Sequence, residues 1–257
     1  MKVLFVGDIV GASGREVFFQ HVDALRKQYQ VDVVIVNGEN SAHGKGITRK
    51  IYQSFMNAKV DVVTLGNHTF SKNDIFLFID DADRMVRPAN MEPLNVGQAV
   101  KTFYWNGVKI GVFNLLGKVF MDQATESPFV TMERLLKQYP CDIHIVDLHG
   151  EATSEKIAFM HYFKDRVEMI VGTHTHVQTA DDMVMDGCAF ISDVGMCGSY
   201  RSVIGRDIDE TLRKLLTNEK TRFTVATGPA VFSGVVVDID TDSKRAVSIE
   251  KIQIRPE

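Results

Sequence analysis

The first residues that could do chemistry are two histidines in the segment Val171-Gly172-Thr173-His174-Thr175-His176. An apolar run leads into the glycine, and His174 and His176 then stand two positions apart. In an extended chain, side chains at positions i and i+2 point to the same side. We therefore predict that both imidazoles face one place just beyond the end of a strand.

Four other apolar runs also end in residues that can act as ligands. These endings are Gly7-Asp8, Gly38-Glu39-Asn40, Gly66-Asn67-His68 and His149. The carboxyl ends of strands in an α/β sheet meet at one rim, where ligands of such folds bind. Glycines permit the tight turns that aim the following side chains into a crevice. The five endings together predict one site.

This set of side chains has the chemistry of a metal centre. It contains two carboxylates, two carboxamides and four imidazoles, from Asp8, Glu39, Asn40, Asn67, His68, His149, His174 and His176. Mixed nitrogen and oxygen donors favour Fe or Mn, with Zn as a further candidate, over Ca or Mg. So many candidate ligands exceed the needs of one tetrahedral ion. They suit two divalent ions ~3.5–4 Å apart that share a carboxylate and a water.

The elements that must position these residues alternate between β-branched runs and segments of helical periodicity. Buried strands are predicted at Val3 to Val6, Val33 to Val36, Asp61 to Leu65, Ile143 to Leu148 and Met169 to Val171. Ser13-x-x-Glu16 resembles a capping box and predicts the start of the first helix. Nearly continuous apolar strands joined by helices indicate a buried sheet with helices on both faces.

Hairpin patterns add antiparallel strands to this arrangement. Asn106-Gly107 is a strong type I′ turn signal between two apolar runs. Val231 to Val237 and Ala246 to Ile254 form a predicted antiparallel pair at the end of the chain. The fold class is therefore α/β, with a mixed sheet or a two-sheet sandwich. No linker divides the 257 residues, so we expect a single domain over residues 1–257.

Composition argues against several functional classes. The chain is 45% hydrophobic with a net charge of −4, so it lacks a general basic surface for nucleic acid. Its three widely spaced cysteines indicate a reducing compartment without a disulfide framework. No segment approaches the ~20 apolar residues of a membrane span, and the first residues lack a signal-peptide core. We expect a cytoplasmic protein that does not bind membranes.

The ordered strand endings resemble the signature of the calcineurin-like metallophosphoesterases. Two departures stand out, because the usual Asp-x-His is replaced by Asp8-Ile9-Val10, and Glu39-Asn40 stands where most of the superfamily has Gly-Asp. These departures, together with Gly38 to Thr48, Arg87-Pro88-Ala89-Asn90 and Asp193-Val194-Gly195-Met196, are similar to the bacterial YmdB-like branch. That branch is described as 2′,3′-cyclic-nucleotide 2′-phosphodiesterases.

The resemblance implies a metallophosphoesterase-type four-layer sandwich, in which two mixed β-sheets are flanked by helices. It also implies two metal sites, one held by Asp8, Asn40 and His176 and the other by Asn67, His149 and His174. Glu39 would bridge the two ions, and His68 would be the general acid. The implied substrate is a small cyclic nucleotide or an RNA-derived cyclic end.

Four further residues are candidates for substrate binding. His43 and Lys45 lie in the glycine-rich loop, and Tyr200 and Arg201 lie in a loop that resembles a site rim. Asp193, which ends an apolar run, is expected to be structural. The alternative functions are a phosphomonoesterase, a nuclease and a non-catalytic metal-binding regulator. The sequence does not determine whether the protein forms a homo-oligomer.

Overall fold

The computed structural model describes residues 1–217, 219–222 and 224–257. Its described residues form fourteen strands and five α-helices. In chain order these are β1 (Lys2–Val6), β2 (Asp8–Ile9), α1 (Gly11–Tyr29), β3 (Val33–Asn37), α2 (Arg49–Asn57), β4 (Val62–Thr64), β5 (Met85–Val86), β6 (Val100–Trp105), β7 (Val108–Leu116), α3 (Pro128–Gln138), β8 (Ile143–His149), α4 (Thr153–Phe163), β9 (Met169–Thr173), β10 (Met183–Met185), β11 (Cys188–Ile191), β12 (Met196–Ser199), α5 (Ile208–Thr217), β13 (Ala230–Asp240) and β14 (Arg245–Ile254). Two 3₁₀ segments, Asn73–Leu77 and Ile79–Asp81, precede β5.

The strands form two mixed sheets. The first sheet has the order β2-β12-β13-β1-β3-β4-β5, with β14 paired to β13. Its strands β1, β3, β4 and β5 are parallel, whereas β13 runs antiparallel to β1, β12 and β14. The second sheet has the order β10-β11-β9-β8-β7-β6, with a parallel centre and antiparallel edges. The prediction of an α/β fold with two mixed sheets is confirmed.

Alternation along β1 shows how the layers are built. Val3 and Phe5 point into an apolar layer between the two sheets, which also contains Ile110 and Val112 of β7. Leu4 and its neighbours on the opposite face pack against buried residues of α1 and α2. Because each central strand is covered on both faces, its sequence is apolar throughout rather than alternating.

The second sheet is covered in the same way on its outer face. Phe113 and Leu115 of β7 pack there with Met132 of α3 and Phe159 of α4. The order of layers is therefore helix, sheet, sheet, helix, as the resemblance implied. Among the described residues, no helix is both long enough and apolar enough to cross a membrane.

The local turn signals had mixed outcomes. The Asn106-Gly107 hairpin is confirmed, because Trp105 pairs with Val108 and both turn residues have positive φ. The capping-box prediction is wrong, since α1 begins at Gly11 and its N-cap, Val10, makes no side-chain cap bond. Carbonyl groups from β12 and from the loop after β3 accept the amides at the start of the helix instead. The Val10 N–H donates to Cys197 O at 2.8 Å, and the Gly11 N–H donates to Asn40 O at 3.0 Å.

Candidate active site at the strand ends

The structure brings all eight residues of the predicted metal-and-acid set to one place where the two sheets meet. Asp8 begins β2, and Asn40 follows β3. His149 is the last residue of β8 in the second sheet. The two sheets therefore contribute opposite sides of one cluster. Asp8, Glu39, Asn40 and His149 are each at most 3% exposed, whereas the remaining members are partly exposed.

One group of donors converges on the Nε2 atom of His149. This atom lies 3.0 Å from Glu39 Oε1 and 3.0 Å from Asn67 Oδ1. It also lies 3.1 Å from Nδ1 of His174. One ligand atom each from Glu39, His149 and His174 all fall within 4.8 Å of one another.

A second group surrounds the amide of Asn40. Its Nδ2 atom lies 3.3 Å from Asp8 Oδ1 and 3.2 Å from His176 Nε2. The His176 Nε2 atom lies 3.6 Å from Asp8 Oδ1. The oxygen and nitrogen of a carboxamide exchange places by rotation about one bond, so Asn40 can offer either atom to this group.

Glu39 connects the two groups. Its Oε1 atom, already close to His149, accepts a hydrogen bond from Asn40 Nδ2 at 3.0 Å. Its Oε2 atom accepts the backbone N–H of His68 at 2.9 Å. The single carboxylate therefore stands between both sets of donors and also fixes the backbone of His68.

Gly66 is required for this close approach. A Cβ at this position would lie 2.3 Å from Glu39 Oε2 and 2.4 Å from His149 Nε2. Both distances are shorter than any van der Waals contact, and both neighbours are buried. The glycine therefore allows the β4 end to pass directly over the cluster.

The segment that carries His174 and His176 is not extended, contrary to the prediction. β9 ends at Thr173, and φ is 101° at His174 and 66° at His176. Such positive φ values are uncommon outside glycine and are maintained only by surrounding contacts. The two rings reach different donor groups through a turn.

Buried polar groups hold this turn in place. Asp8 Oδ2 accepts the His174 N–H at 3.1 Å, and Asp193 Oδ2 accepts the Thr175 N–H at 2.9 Å. Lys156, only 2% exposed, donates to Asp193 Oδ2 at 3.1 Å and to Thr173 O at 2.9 Å. Asp193 thus has the structural position expected from the sequence, and Lys156 is a support that sequence reasoning missed.

A second buried support, also missed, orients His149. Its Nδ1 atom lies 2.8 Å from Thr173 Oγ1, which donates to Asp147 Oδ1 at 2.7 Å. The other carboxylate oxygen of Asp147 accepts from Thr64 at 2.5 Å and from Asn37 at 3.0 Å. Burial raises the pKa of Asp147 to about 6, against the opposing effect of His149. Because the Thr173 hydroxyl hydrogen is used on Asp147, the His149 Nδ1 must donate to Thr173.

This tautomer leaves the Nε2 atom of a neutral His149 with a lone pair that faces the cluster. A neutral His149 then directs the Nε2 lone pair towards the oxygens of Glu39 and Asn67, which repel it unless a cation lies among them. Burial alone lowers the pKa of His149, yet Glu39 and Asp8 raise it to about 9. The cluster therefore attracts positive charge strongly, and its donors fit a divalent cation.

The pKa values of the remaining ionisable groups in the cluster are shifted by burial and by the charges of their neighbours. Burial and His149 lower the pKa of His174 to about 3, so this ring is neutral and offers a lone pair. Burial opposes protonation of His176, but Asp8 raises its pKa to about 9. Burial would also raise the pKa values of Asp8 and Glu39, yet the neighbouring imidazoles hold both below their usual range. Both carboxylates are therefore ionised despite their burial.

A cleft of about 350 Å³ opens onto the cluster, and we call it the first cleft. Its walls include His68 and Lys45, which were predicted, and Glu151 and Arg206, which were missed. Glu151 Oε2 lies 3.1 Å from His174 Nε2. Glu151 comes two residues after His149 at the end of β8, and this position was the available signal. Nothing in the sequence around Arg206 indicated that it would line the cleft.

The other candidate substrate residues, His43, Tyr200 and Arg201, do not line this cleft. His43 is exposed on the glycine-rich loop and has a φ of 57°. Tyr200 lines a neighbouring cleft that shares the His176 wall, and Tyr200 and Arg201 together line a further cleft of about 330 Å³. Lys45 is therefore the member of this set that lines the first cleft.

Comparison with known proteins agrees with this geometry. Residues 4–252 match the family described as YmdB-like protein. The chain belongs to the YmdB-like family. A relative in this comparison is the 2′,3′-cyclic-nucleotide 2′-phosphodiesterase of Bacillus subtilis (strain 168), which is 44% identical over 99% of this chain and 97% of its own length. The resemblance stated from the strand endings is thereby confirmed.

Solved structures extend the similarity to the fold. A crystal structure of a novel phosphatase from Mycoplasma pneumoniae shares 38% identity and a TM-score of 0.95, over 99% of this chain and 93% of that chain. A hypothetical protein from Thermus thermophilus shares 34% identity and a TM-score of 0.93, over the full length of both chains. The YmdB-like chain therefore has the metallophosphoesterase fold.

The close approach at Gly66 gives a direct test of the cluster. Gly66→Ala should displace Glu39 and His149 and weaken Mn²⁺ binding by about 10- to 100-fold, as loss of ligand orientation does in other metal sites. Isothermal titration calorimetry measures the affinity, and near-UV circular dichroism verifies folding. Gln138→Ala is the control, because Gln138 is an exposed residue at the end of α3 and is not part of the cluster. Wild-type Mn²⁺ affinity in a folded Gly66→Ala protein would show that these two side chains do not form the site.

Proposed function

We propose that the chain is a phosphodiesterase that hydrolyses 2′,3′-cyclic nucleotides at a centre for two divalent cations, with Mn or Fe favoured and Zn a further candidate. The observation that carries this proposal is the position of Glu39, whose Oε1 lies 3.0 Å from both His149 Nε2 and Asn40 Nδ2. The names of the relatives support phosphoester hydrolysis, and that of the Bacillus relative supports the cyclic substrate.

The two donor groups would each hold one cation. Asn67, His149 and His174 form the first set, Asp8, Asn40 and His176 the second, and Glu39 contributes to both. Two bound divalent cations supply a nucleophile at neutral pH and neutralise charge that develops on the phosphoryl oxygens. The chain's own contribution is to fix the ligands, through the Asp147–Thr173 pair behind His149 and the Lys156–Asp193 pair behind the turn.

His68 is the proposed general acid. Its ring faces the first cleft, its backbone is fixed by Glu39, and Ser71 Oγ lies 3.3 Å from Nδ1. Burial lowers the pKa of His68 below its usual value, with a smaller contribution from Lys45, and the opposing effect of Glu39 does not offset this. An anionic phosphodiester beside the ring favours the protonated form. Water adds to phosphorus and gives up a proton to solvent, the bond from phosphorus to the 2′ oxygen breaks, and this oxygen takes a proton from His68, which is reprotonated from solvent. The product carries a 3′-phosphate.

Two cations of the chain line the first cleft on loops from different parts of the sequence. Lys45 comes from the glycine-rich loop after β3, and Arg206 precedes α5 and bonds Glu210 Oε1 at 2.6 Å. Their charges favour an anionic substrate over a neutral one. We assign both residues to substrate binding.

A substrate panel tests the proposed reaction. The Mn²⁺-loaded protein should hydrolyse 2′,3′-cyclic AMP with a kcat/KM at least about tenfold above that for p-nitrophenyl phosphate, a difference of about 1.4 kcal/mol. Chromatography should show the 3′-phosphate as product. Hydrolysis of monoesters alone would identify a phosphomonoesterase, and internal cleavage of linear oligoribonucleotides would identify a nuclease. Absence of hydrolysis with every substrate would favour the non-catalytic metal-binding regulator.

The role of His68 is tested separately from metal binding. His68→Ala should retain the Mn²⁺ stoichiometry but lose about 10²- to 10⁴-fold in kcat, the usual contribution of general acid catalysis. Elemental analysis and steady-state kinetics measure the two properties. His161→Ala, on the exposed face of α4, is the matched control and should leave both unchanged. A His68→Ala variant with wild-type kcat would remove His68 from the mechanism.

A further inference from the structure

A second cleft of about 500 Å³ adjoins the first one. His176 and Ile204 line both clefts, so these two residues separate the clefts from each other. A ligand whose reacting group lies in the first cleft can therefore extend over this wall into the second. Apart from His176, none of the residues proposed as metal ligands or general acid lines the second cleft.

The dividing wall has a fixed position. Ile204, with a φ of 49°, accepts a hydrogen bond through its carbonyl oxygen from His176 Nδ1 at 2.8 Å. The Gly205 N–H donates to Ser202 Oγ at 2.8 Å, and this hydroxyl donates to Ser199 O at 2.6 Å. These hydrogen bonds hold the loop around Ile204 in place. The Ile204 wall therefore has a defined position between the two clefts.

The second cleft has an aromatic face and two cations. Tyr200 is 45% exposed at its edge, and Lys251 and Arg255 supply positive charge. Lys251 Nζ lies 2.6 Å from Asp182, which is outside the lining, and Arg255 Nε donates to Gln253 Oε1 at 2.7 Å. None of the described residues that line the second cleft carries a carboxylate. An exposed aromatic ring beside cations is the combination that binds single-stranded nucleic acids.

We propose that the second cleft binds the nucleotide that precedes a 2′,3′-cyclic phosphate at the end of an oligoribonucleotide. Tyr200 stacks on its base, and Arg255 and Lys251 bind its phosphate. This inference rests on the proposed function. Water adds to the terminal phosphorus, the bond to the 2′ oxygen breaks, and His68 supplies the proton, so the rest of the RNA is unchanged. DNA lacks the 2′ oxygen and cannot form such an end.

Kinetics on two substrates test the inference. For the Mn²⁺-loaded wild-type protein, a tetraribonucleotide ending in a 2′,3′-cyclic phosphate should have a KM at least about fivefold below that of 2′,3′-cyclic AMP. Tyr200→Ala and Arg255→Ala should each raise the KM of the tetranucleotide by about fivefold or more relative to that of the mononucleotide. Tyr104→Ala is the matched control, because Tyr104 is a 72% exposed tyrosine on β6 of the second sheet and does not line the second cleft.

The outcomes separate the two proposals. Equal KM values for both substrates in the wild-type protein, or equal effects of the variants on both, would overturn the inference and leave the proposed function intact. Failure to hydrolyse either substrate would overturn the proposed function. In that case fluorescence anisotropy with a tetraribonucleotide 3′-phosphate decides the inference. Binding that Tyr200→Ala weakens supports the second cleft, and binding that is unchanged in Tyr200→Ala rejects it.

Discussion

The structure depends on the burial of two ionised carboxylates, Asp8 and Glu39, within one cluster. An isolated buried carboxylate costs several kcal/mol, so each needs compensating charge and hydrogen bonds. Part of the compensation comes from the imidazoles of His149 and His176, whose pKa values are both raised to about 9. Divalent cations compensate more completely, because they satisfy the carboxylates and the imidazole lone pairs together. The same charges that oppose burial therefore define a site for metal.

The fold meets this constraint by placing strand ends from two sheets face to face. The first sheet supplies the carboxylates and the second supplies the imidazoles of His149, His174 and His176, while an apolar layer lies between the sheets. Two buried polar pairs behind the cluster, Asp147–Thr173 and Lys156–Asp193, then set the direction of His149 and of the turn after β9. Catalytic geometry of this kind requires supporting residues that are themselves fixed by packing. The apolar core and the polar site are thus parts of one arrangement.

Sequence patterns could predict the elements whose signal is local. Asn106-Gly107 needs positive φ at two successive positions, and β1, buried on both faces, reads as an apolar run. The ends of strands could be predicted for the same reason, so the sequence could indicate that Asp8, Glu39 and His149 lie near one another. The positive φ of His174 could not be predicted, because it depends on Asp8 and Asp193, which are distant in sequence. Lys156 and Arg206 carry no local signal at all, since the support by Lys156 and the position of Arg206 in the first cleft arise only from tertiary structure. The Ser13–Glu16 prediction was wrong because α1 begins earlier, at Gly11, whose amide bonds the carbonyl of Asn40 from a distant loop.

Anomalous diffraction from crystals of the Mn²⁺-loaded protein, collected above and below the manganese absorption edge, locates the bound cations. We expect two manganese peaks ~3.5–4 Å apart with the Glu39 carboxylate between them. One peak should lie against Asn67, His149 and His174, and the other against Asp8, Asn40 and His176. A single fully occupied peak, or two peaks that do not share Glu39, would contradict this expectation.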